Sequence, residues 1–446
     1  MASPVKPLTQ PAAAPATRAK SGTDLIRIEG GEALNGDIGI SGAKNSALIL
    51  MCAALLTEDT MRFTNMPTTL RDIATLTKVL ESLGATIATG PEGTMAIQAR
   101  NIKSTKADYD LVKEMRASFL VMGPLLTRFK EATVSMPGGC AIGTRPIDFH
   151  LMGFEAMGAQ ITLEEGYVRV TAPGGLKGAD ITFPRVSVGA TENIMMAAAL
   201  ASGVTHIFNA ACEPEIVDLG RCLIAMGAKI EGLGTSTITV TGVPSLRGAM
   251  HQVVADRIET GTYMIAVAMA GGKVRLKNAS AEHLQALVGP LKTAGVRIEE
   301  DDGDVIVERA GPLKEGTNIV TEVHPGFPTD LQAQFMTLLT QCRNGGTITE
   351  TIWENRFMHV PELARMGAKI AIDGNTATIA GAQNLTGARV MATDLRASAA
   401  LVLAALVAKG TTTIDRIYHL DRGYENLEVK LKACGAKIER IPAGAP

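Results

Sequence analysis

The strongest constraint on how this chain can fold is a unit of helix, glycine and strand that recurs six times. The segments VLESLGATIA, GFEAMGAQIT, CLIAMGAKIE, PLKTAGVRIE, ELARMGAKIA and KLKACGAKIE share a glycine at 84, 158, 227, 295, 367 and 435, in steps of 74, 69, 68, 72 and 68 residues. Each segment reads as an amphipathic helix closed by a glycine, which accepts the left-handed conformation of a helix terminus, followed at once by an alternating strand. Hairpin partners follow at 94–99, 167–172, 237–242, 304–309 and 376–381, but the sixth unit runs out at IERIPAGAP. Its partner is expected at the other end of the chain, where LIRIEG at 25–30 has the same alternation.

That closure divides the chain. With 446 residues, two hydrophobic cores are expected. Three units form one domain, 46–254, and the other three join 23–45 to 255–446, with crossovers near 44–47 and 250–256.

A second register starts at Leu34, Ile102, Leu176, Leu246, Leu313 and Leu385, each followed by a short strand and a second helix. These helices include SALILMCAALL, SFLVMGPLLTR, ENIMMAAALA, TYMIAVAMA, AQFMTLLTQ and SAALVLAALVA. They are apolar on every side and so must be buried, whereas the alternating strands can keep one face in water. The expected fold is α/β, a two-domain inside-out α/β barrel with buried helices and sheets outside.

Composition narrows the function. A net charge of −2 disfavours a broad nucleic-acid or anionic-membrane surface, so a bound anion needs a local cluster of Lys and Arg. Cysteines at 52, 140, 212, 222, 342 and 434 form no CxxC pair, which reads as a reducing compartment, the cytoplasm, without structural zinc. Residues 1–22 are Pro- and Ala-rich without an apolar signal core and read as a disordered tail. The longest apolar runs, such as 398–408, fall short of the roughly 20 residues that span a bilayer.

Two sets of polar residues stand out. The segment 136–148, MPGGCAIGTRPID, places the thiol of Cys140 and the guanidinium of Arg145 among Gly138, Gly139 and Gly143, in a loop suited to meeting a ligand. A nearby cation favours the reactive thiolate. At the starts of the buried helices lie Lys44 and Asn45; Arg116; Arg185 and Ser187; Asp256 and Arg257; Asp330; and Asp394 and Arg396. Helix N-termini offer unpaired N–H groups and positive potential, so several facing one cleft would hold an anion. Taken singly, Asp330 and Asp394 also read as ordinary helix caps.

In order along the chain, GAKNSAL, MRASFLVMGPLL, PGGCAIGTRPIDFH, RVSVGATEN, ACEPEIVDL, FPTDLQAQF, WENRFMHVPEL and ATDLRASAALV closely resemble the UDP-N-acetylglucosamine 1-carboxyvinyltransferases, a family of enolpyruvyl transferases. The resemblance covers 24 to about 441. It implies transfer of the enolpyruvyl group of phosphoenolpyruvate to the 3′-hydroxyl of UDP-N-acetylglucosamine with release of phosphate, the first committed step of peptidoglycan synthesis. It implies no metal and no organic cofactor; the net charge and the short apolar runs speak against a nucleic-acid or membrane partner, and a monomer is the favoured state.

By the same resemblance Lys44, Arg116, Arg145 and Arg422 hold phosphoenolpyruvate, with Asn45 and Arg396 adjoining. Arg116, Pro146, Ile147, Asp148, Phe149, Arg185, Val186, Ser187, Val188, Gly189, Asp330 and Ile352 meet the uridine and sugar. Cys140, Asp330 and Arg422 are the implied catalytic residues: Cys140 as acid and target of the epoxide fosfomycin, Asp330 as base for the 3′-hydroxyl. Asp394 and Glu354 are supporting groups. Adding an alcohol across an enol double bond requires an acid and a base facing each other across the substrates. The sister enzyme acting on shikimate 3-phosphate shares this chemistry, and the cysteine loop and RVSVGATEN weigh against it. A repeat-built RNA-end cyclase fits poorly with the near-neutral charge, and a non-catalytic scaffold gives no reason for the basic cluster.

Overall fold

The computed structural model describes residues 24–112, 115–136 and 147–443. Within them the chain forms six four-stranded sheets, each joining one parallel strand pair to an antiparallel hairpin. All six repeat glycines take positive φ, from 90° at Gly158 to 109° at Gly84 and Gly227. At Gly84 the position is also crowded, since a Cβ would lie 2.5 Å from the carbonyl oxygen of Asn101. The glycine thus ends the helix Arg71–Leu83 and lets Thr86–Thr89 turn straight into its sheet.

The terminal strand closes the sixth unit as its alternation requires. Leu25–Glu29 lies between Thr411–Asp415 and Lys437–Ile441, antiparallel to both, with Ile26 opposite Ile414 and Ile28 opposite Ile438. Ile26 and Ile28 are fully buried while Arg27 and Glu29 face water.

The second strand, Leu34–Gly39, runs parallel to Gly272–Lys277, and Met250–Gln252 runs parallel to Thr60–Thr64. The chain therefore crosses over between 39 and 44 and returns between 252 and 257. The two connections touch: Gly42 bridges Ala255, and a Cβ on Gly42 would meet the Asn65 carbonyl oxygen at 1.9 Å.

Two hydrophobic cores result. One is built from residues between Ala47 and Val253, the other from Ile26 to Ile40 together with Ile258 to Ile438. At their centres run the apolar helices Lys44–Ala53, Met122–Phe129 and Val188–Ala198, and Arg257–Ala270, Gln332–Leu339 and Leu395–Val407. Every residue of Arg396 to Leu406 is buried. Each fully buried leucine contributes about 1.5–3 kcal/mol, so helices that would be poor on a surface are the most strongly held elements. Among the described residues no helix is long and apolar enough to cross a membrane.

Candidate active site

The inner helices begin at the boundary between the cores, and their caps bring the polar residues there. Asp394 caps Leu395–Val407 by accepting from the backbone N–H of Arg396 at 2.8 Å and of Ala397 at 3.1 Å. Asp256 accepts from Ile258 and Glu259 at 2.8 and 2.9 Å, and its other oxygen accepts from the N–H of Lys44 at 3.3 Å. One carboxylate thus serves two helix N-termini, one in each core; each such cap is worth about 1 kcal/mol. Ser187 caps Val188–Ala198 through the N–H of Ala190 at 3.4 Å.

Two ion clusters occupy this boundary. In the first, Asp72 accepts from Lys44 Nζ at 3.3 Å and from Arg422 Nε and Nη2 at 2.9 and 3.4 Å. Asp72 belongs to the first core's helix Arg71–Leu83 and Arg422 to the second core's turn Ile417–Arg422, so the pair ties the cores together. Burial would raise the Asp72 carboxyl, but Lys44 and Arg422 overcome it and hold it below the usual carboxylate range. Burial lowers the Lys44 ammonium, an effect that Asp72 opposes and Arg396 and Arg422 reinforce.

Asp330 is the centre of the second cluster. Arg356 Nη2 donates to its Oδ1 at 2.6 Å and Arg396 Nη2 to its Oδ2 at 2.8 Å. The carboxylate side chain is 29 % exposed, while those of Arg356 and Arg396 are 4 % and 6 % exposed. Burial would raise its pKa, yet the two guanidiniums hold it well below the carboxylate range, so it is ionised. Arg396 also lies over the ring of Tyr424, 5.6 Å from its centroid. Tyr424 Oη meets Thr262 Oγ1 at 2.8 Å, and Gln334 donates to it at 3.1 Å and to the Asp330 carbonyl at 3.0 Å.

A further bridge between the cores places Arg257 Nε 3.1 Å from Glu215 Oε1, with the His324 N–H donating to Glu213 at 3.5 Å. Burial pushes the Glu192 carboxyl well above the usual carboxylate range, with Glu215 and Glu213 adding to the effect. Nearby in sequence to His324, an open recess of about 590 Å³ is lined by Glu322, Val323, His324, Pro325, Gly326, Thr351 and Ile352. The Ile352 N–H donates to Glu350 at 2.8 Å.

Aromatic stacking organises another group of the expected substrate residues. Phe149 stacks on Phe183 at 6.2 Å and Arg185 lies over the Phe149 ring at 5.5 Å. Ile147 and Asp148 begin the helix Asp148–Ala156, and Val186 leads into the cap at Ser187. Val188 opens its helix, and a Cβ on Gly189 would come within 3.2 Å of His150, so this close approach favours glycine.

Lys44 is therefore brought within electrostatic range of Asp330, Arg396 and Arg422. Asn45 is exposed beside them at the start of its helix. Cys140, Arg145 and Pro146 lie outside the described residues, as does the N-terminal tail 1–22. The position of Arg116 opens the turn Arg116–Val121, but its side chain is outside the described part of the structure. Asp394 acts here as a helix cap, and Glu354 is exposed. Among the described residues no group of three or more His, Cys, Asp or Glu could hold a metal ion, and Cys52, Cys212, Cys222, Cys342 and Cys434 are free thiols.

Asp72 and Arg356 were missed by sequence reasoning. Asp72 carried a signal: with Leu76, Val79 and Leu83 it falls on the apolar face of its helix, where a carboxylate is costly without partners. Arg356 lies within WENRFMHVPEL, one of the segments that carry the resemblance, but the irregular stretch between Gly346–Thr349 and Val360–Arg365 has no periodicity that would assign it a partner.

Residues 28–431 match the family model described as EPSP synthase (3-phosphoshikimate 1-carboxyvinyltransferase). A UDP-N-acetylglucosamine 1-carboxyvinyltransferase of Caulobacter sp. (strain K31) is 56 % identical over 425 residues, covering 95 % of this chain and 98 % of that protein. One from Granulibacter bethesdensis is 54 % identical over 419 residues, covering 94 % and 99 %. The crystal structure of the enolpyruvyl transferase NikO from Streptomyces tendae superimposes with a TM-score of 0.84 at 26 % identity, covering 95 % of this chain and 100 % of that one. EPSP synthase from Acinetobacter baumannii shares the fold, with a TM-score of 0.71 at 19 % identity, covering 94 % and 100 %.

Proposed function

From the premise that this chain belongs to the EPSP synthase family, the enolpyruvyl transferases, we propose that it transfers the enolpyruvyl group of phosphoenolpyruvate to the 3′-hydroxyl of UDP-N-acetylglucosamine and releases phosphate. The observation that carries the choice of acceptor is 54–56 % identity over nearly the whole chain to enzymes named for that sugar nucleotide. The site's geometry supports the chemistry: cations from both cores converge where a small, highly charged anion would sit.

In this reading Lys44 and Arg422, with Arg116 and Arg145, hold phosphoenolpyruvate, and Asn45 and Arg396 adjoin it. The uridine and sugar lie along Pro146 to Phe149, Arg185 to Gly189, Asp330 and Ile352. Cys140 delivers a proton to the methylene carbon while the 3′-oxygen bonds to the adjacent carbon and gives up its proton to Asp330. A proton then leaves the new methyl group as the carbon–oxygen bond to phosphate breaks, regenerating the double bond. Such acid–base steps contribute about 10²–10⁴-fold each. The two domains are read as 23–45 with 255–446 and 46–254. It works in the cytoplasm, with a monomer the favoured state, in the first committed step of peptidoglycan synthesis.

Phosphate release from phosphoenolpyruvate, measured with UDP-N-acetylglucosamine and separately with shikimate 3-phosphate, tests the reading. Turnover with the sugar nucleotide alone is expected. Turnover only with shikimate 3-phosphate overturns the choice of acceptor, and none with either overturns the reaction.

A further inference from the structure

Asp330 as it stands in this structure is a weakened base. Both of its oxygens are engaged by guanidinium donors, and a carboxylate held by two cations is a weak proton acceptor. The two arginines are not equivalent. Arg356 comes from the segment before Val360–Arg365 and is anchored independently of the carboxylate, its Nε and Nη2 donating to the backbone carbonyl of Thr329 at 3.4 and 3.2 Å. It therefore holds the turn that carries Asp330 as well as Oδ1. Arg396 comes from the start of Leu395–Val407; its one hydrogen bond to Asp330 is through Nη2, and its Nη1 is buried with no hydrogen-bond partner among the described residues. An unpaired buried guanidinium N–H is costly, and an anion beside it would remove that cost.

Resting on the reading of Asp330 as the base, we propose that the two arginines have different jobs. Arg356 is a positioning residue that stays on Oδ1 throughout turnover, and Arg396 is an exchangeable partner that passes to the incoming phosphoenolpyruvate and frees Oδ2 to take the 3′-hydroxyl proton. Binding of the anionic substrate thus switches the base on, and the base does not have to compete with two cations when the proton arrives. The other charged groups facing Asp330 are Lys44, from the first core, and Arg257, at the start of Arg257–Ala270. With Arg396 withdrawn, Arg356 is the remaining hydrogen-bonded cation on the carboxylate, so its loss leaves burial to push the carboxyl upward.

The test uses the full-length protein, with Arg356→Met, Arg356→Lys and Asp330→Asn. The Asp330 carboxyl is followed by ¹³C NMR, identified by its absence from Asp330→Asn, and the pH dependence of phosphate release is measured alongside. In the wild type, adding phosphoenolpyruvate is expected to move the Asp330 titration to higher pH. In Arg356→Met it moves higher still, kcat falls about 10–100-fold, and the acid limb of kcat rises by about one to three pH units. Arg356→Lys restores the charge and brings the limb back. An Asp330 titration unmoved by phosphoenolpyruvate overturns the exchange, and one unmoved in Arg356→Met overturns the positioning role, whatever the kinetics. A carboxyl that moves as expected while the acid limb of kcat stays fixed upholds both roles and overturns instead the reading of Asp330 as the base.

Discussion

Replacing Asp72 with Asn tests whether a single buried carboxylate holds the two cores together. The side chain is 6 % exposed and binds Lys44, 13 % exposed, and Arg422, 37 % exposed. Removing one partner of a buried pair costs about 3–5 kcal/mol, while an exposed pair is worth about 0–1 kcal/mol. The Lys44 half belongs near the first figure and the Arg422 half near the second, and Asn keeps the shape and one acceptor. The net cost is then about 2–3 kcal/mol, which for a cooperative unit of roughly 200 residues lowers Tm by about 5–10 °C. Calorimetry at low salt measures it. Because the Asp72 carboxyl is depressed in the folded state, its contribution is fully present above the ordinary carboxylate range and is lost as pH falls through the folded value. The difference in Tm between wild type and variant is therefore constant from about pH 6 to 8 and shrinks below about 4. The variant also removes the Asp72 charge from beside Lys44 and Arg422, so inorganic phosphate raises its Tm more than that of the wild type. A variant within 1 °C of wild type, with the same response to phosphate, refutes the bridge.

Asp330→Asn keeps the shape and removes the basicity: UDP-N-acetylglucosamine affinity by calorimetric titration stays near normal while turnover falls by about two to four orders of magnitude, and unchanged turnover eliminates Asp330 as the base. Cys140→Asp retains appreciable turnover, since a carboxylic acid also delivers a proton, and resists fosfomycin; Cys140→Ala is much weaker, and epoxide inactivation of the Asp variant at the wild-type rate reassigns the target. Gly42→Ala forces a Cβ to within 1.9 Å of the Asn65 carbonyl where the two crossovers touch, and should cost about 1–3 kcal/mol or more in chemical denaturation.

Periodicity and glycine spacing were enough to determine the architecture of this chain. An apolar helix with no polar face has only one place to go, and a strand such as 25–30 must find a hairpin partner, so helices inside, sheets outside and the closure by the N-terminal strand were all legible. The starts of the inner helices were legible too, which is why Lys44, Asp330 and Arg396 stood out before any geometry was known. Pairing across the chain was not, because charge partners are chosen by proximity and not by spacing. Asp72 and Arg422 are 350 residues apart, and Asp330 meets Arg396 across 66. Only the packing of the two cores decided that Asp72 would sit between Lys44 and Arg422, and that the expected base would be held by two arginines, one of them on an irregular segment without periodicity.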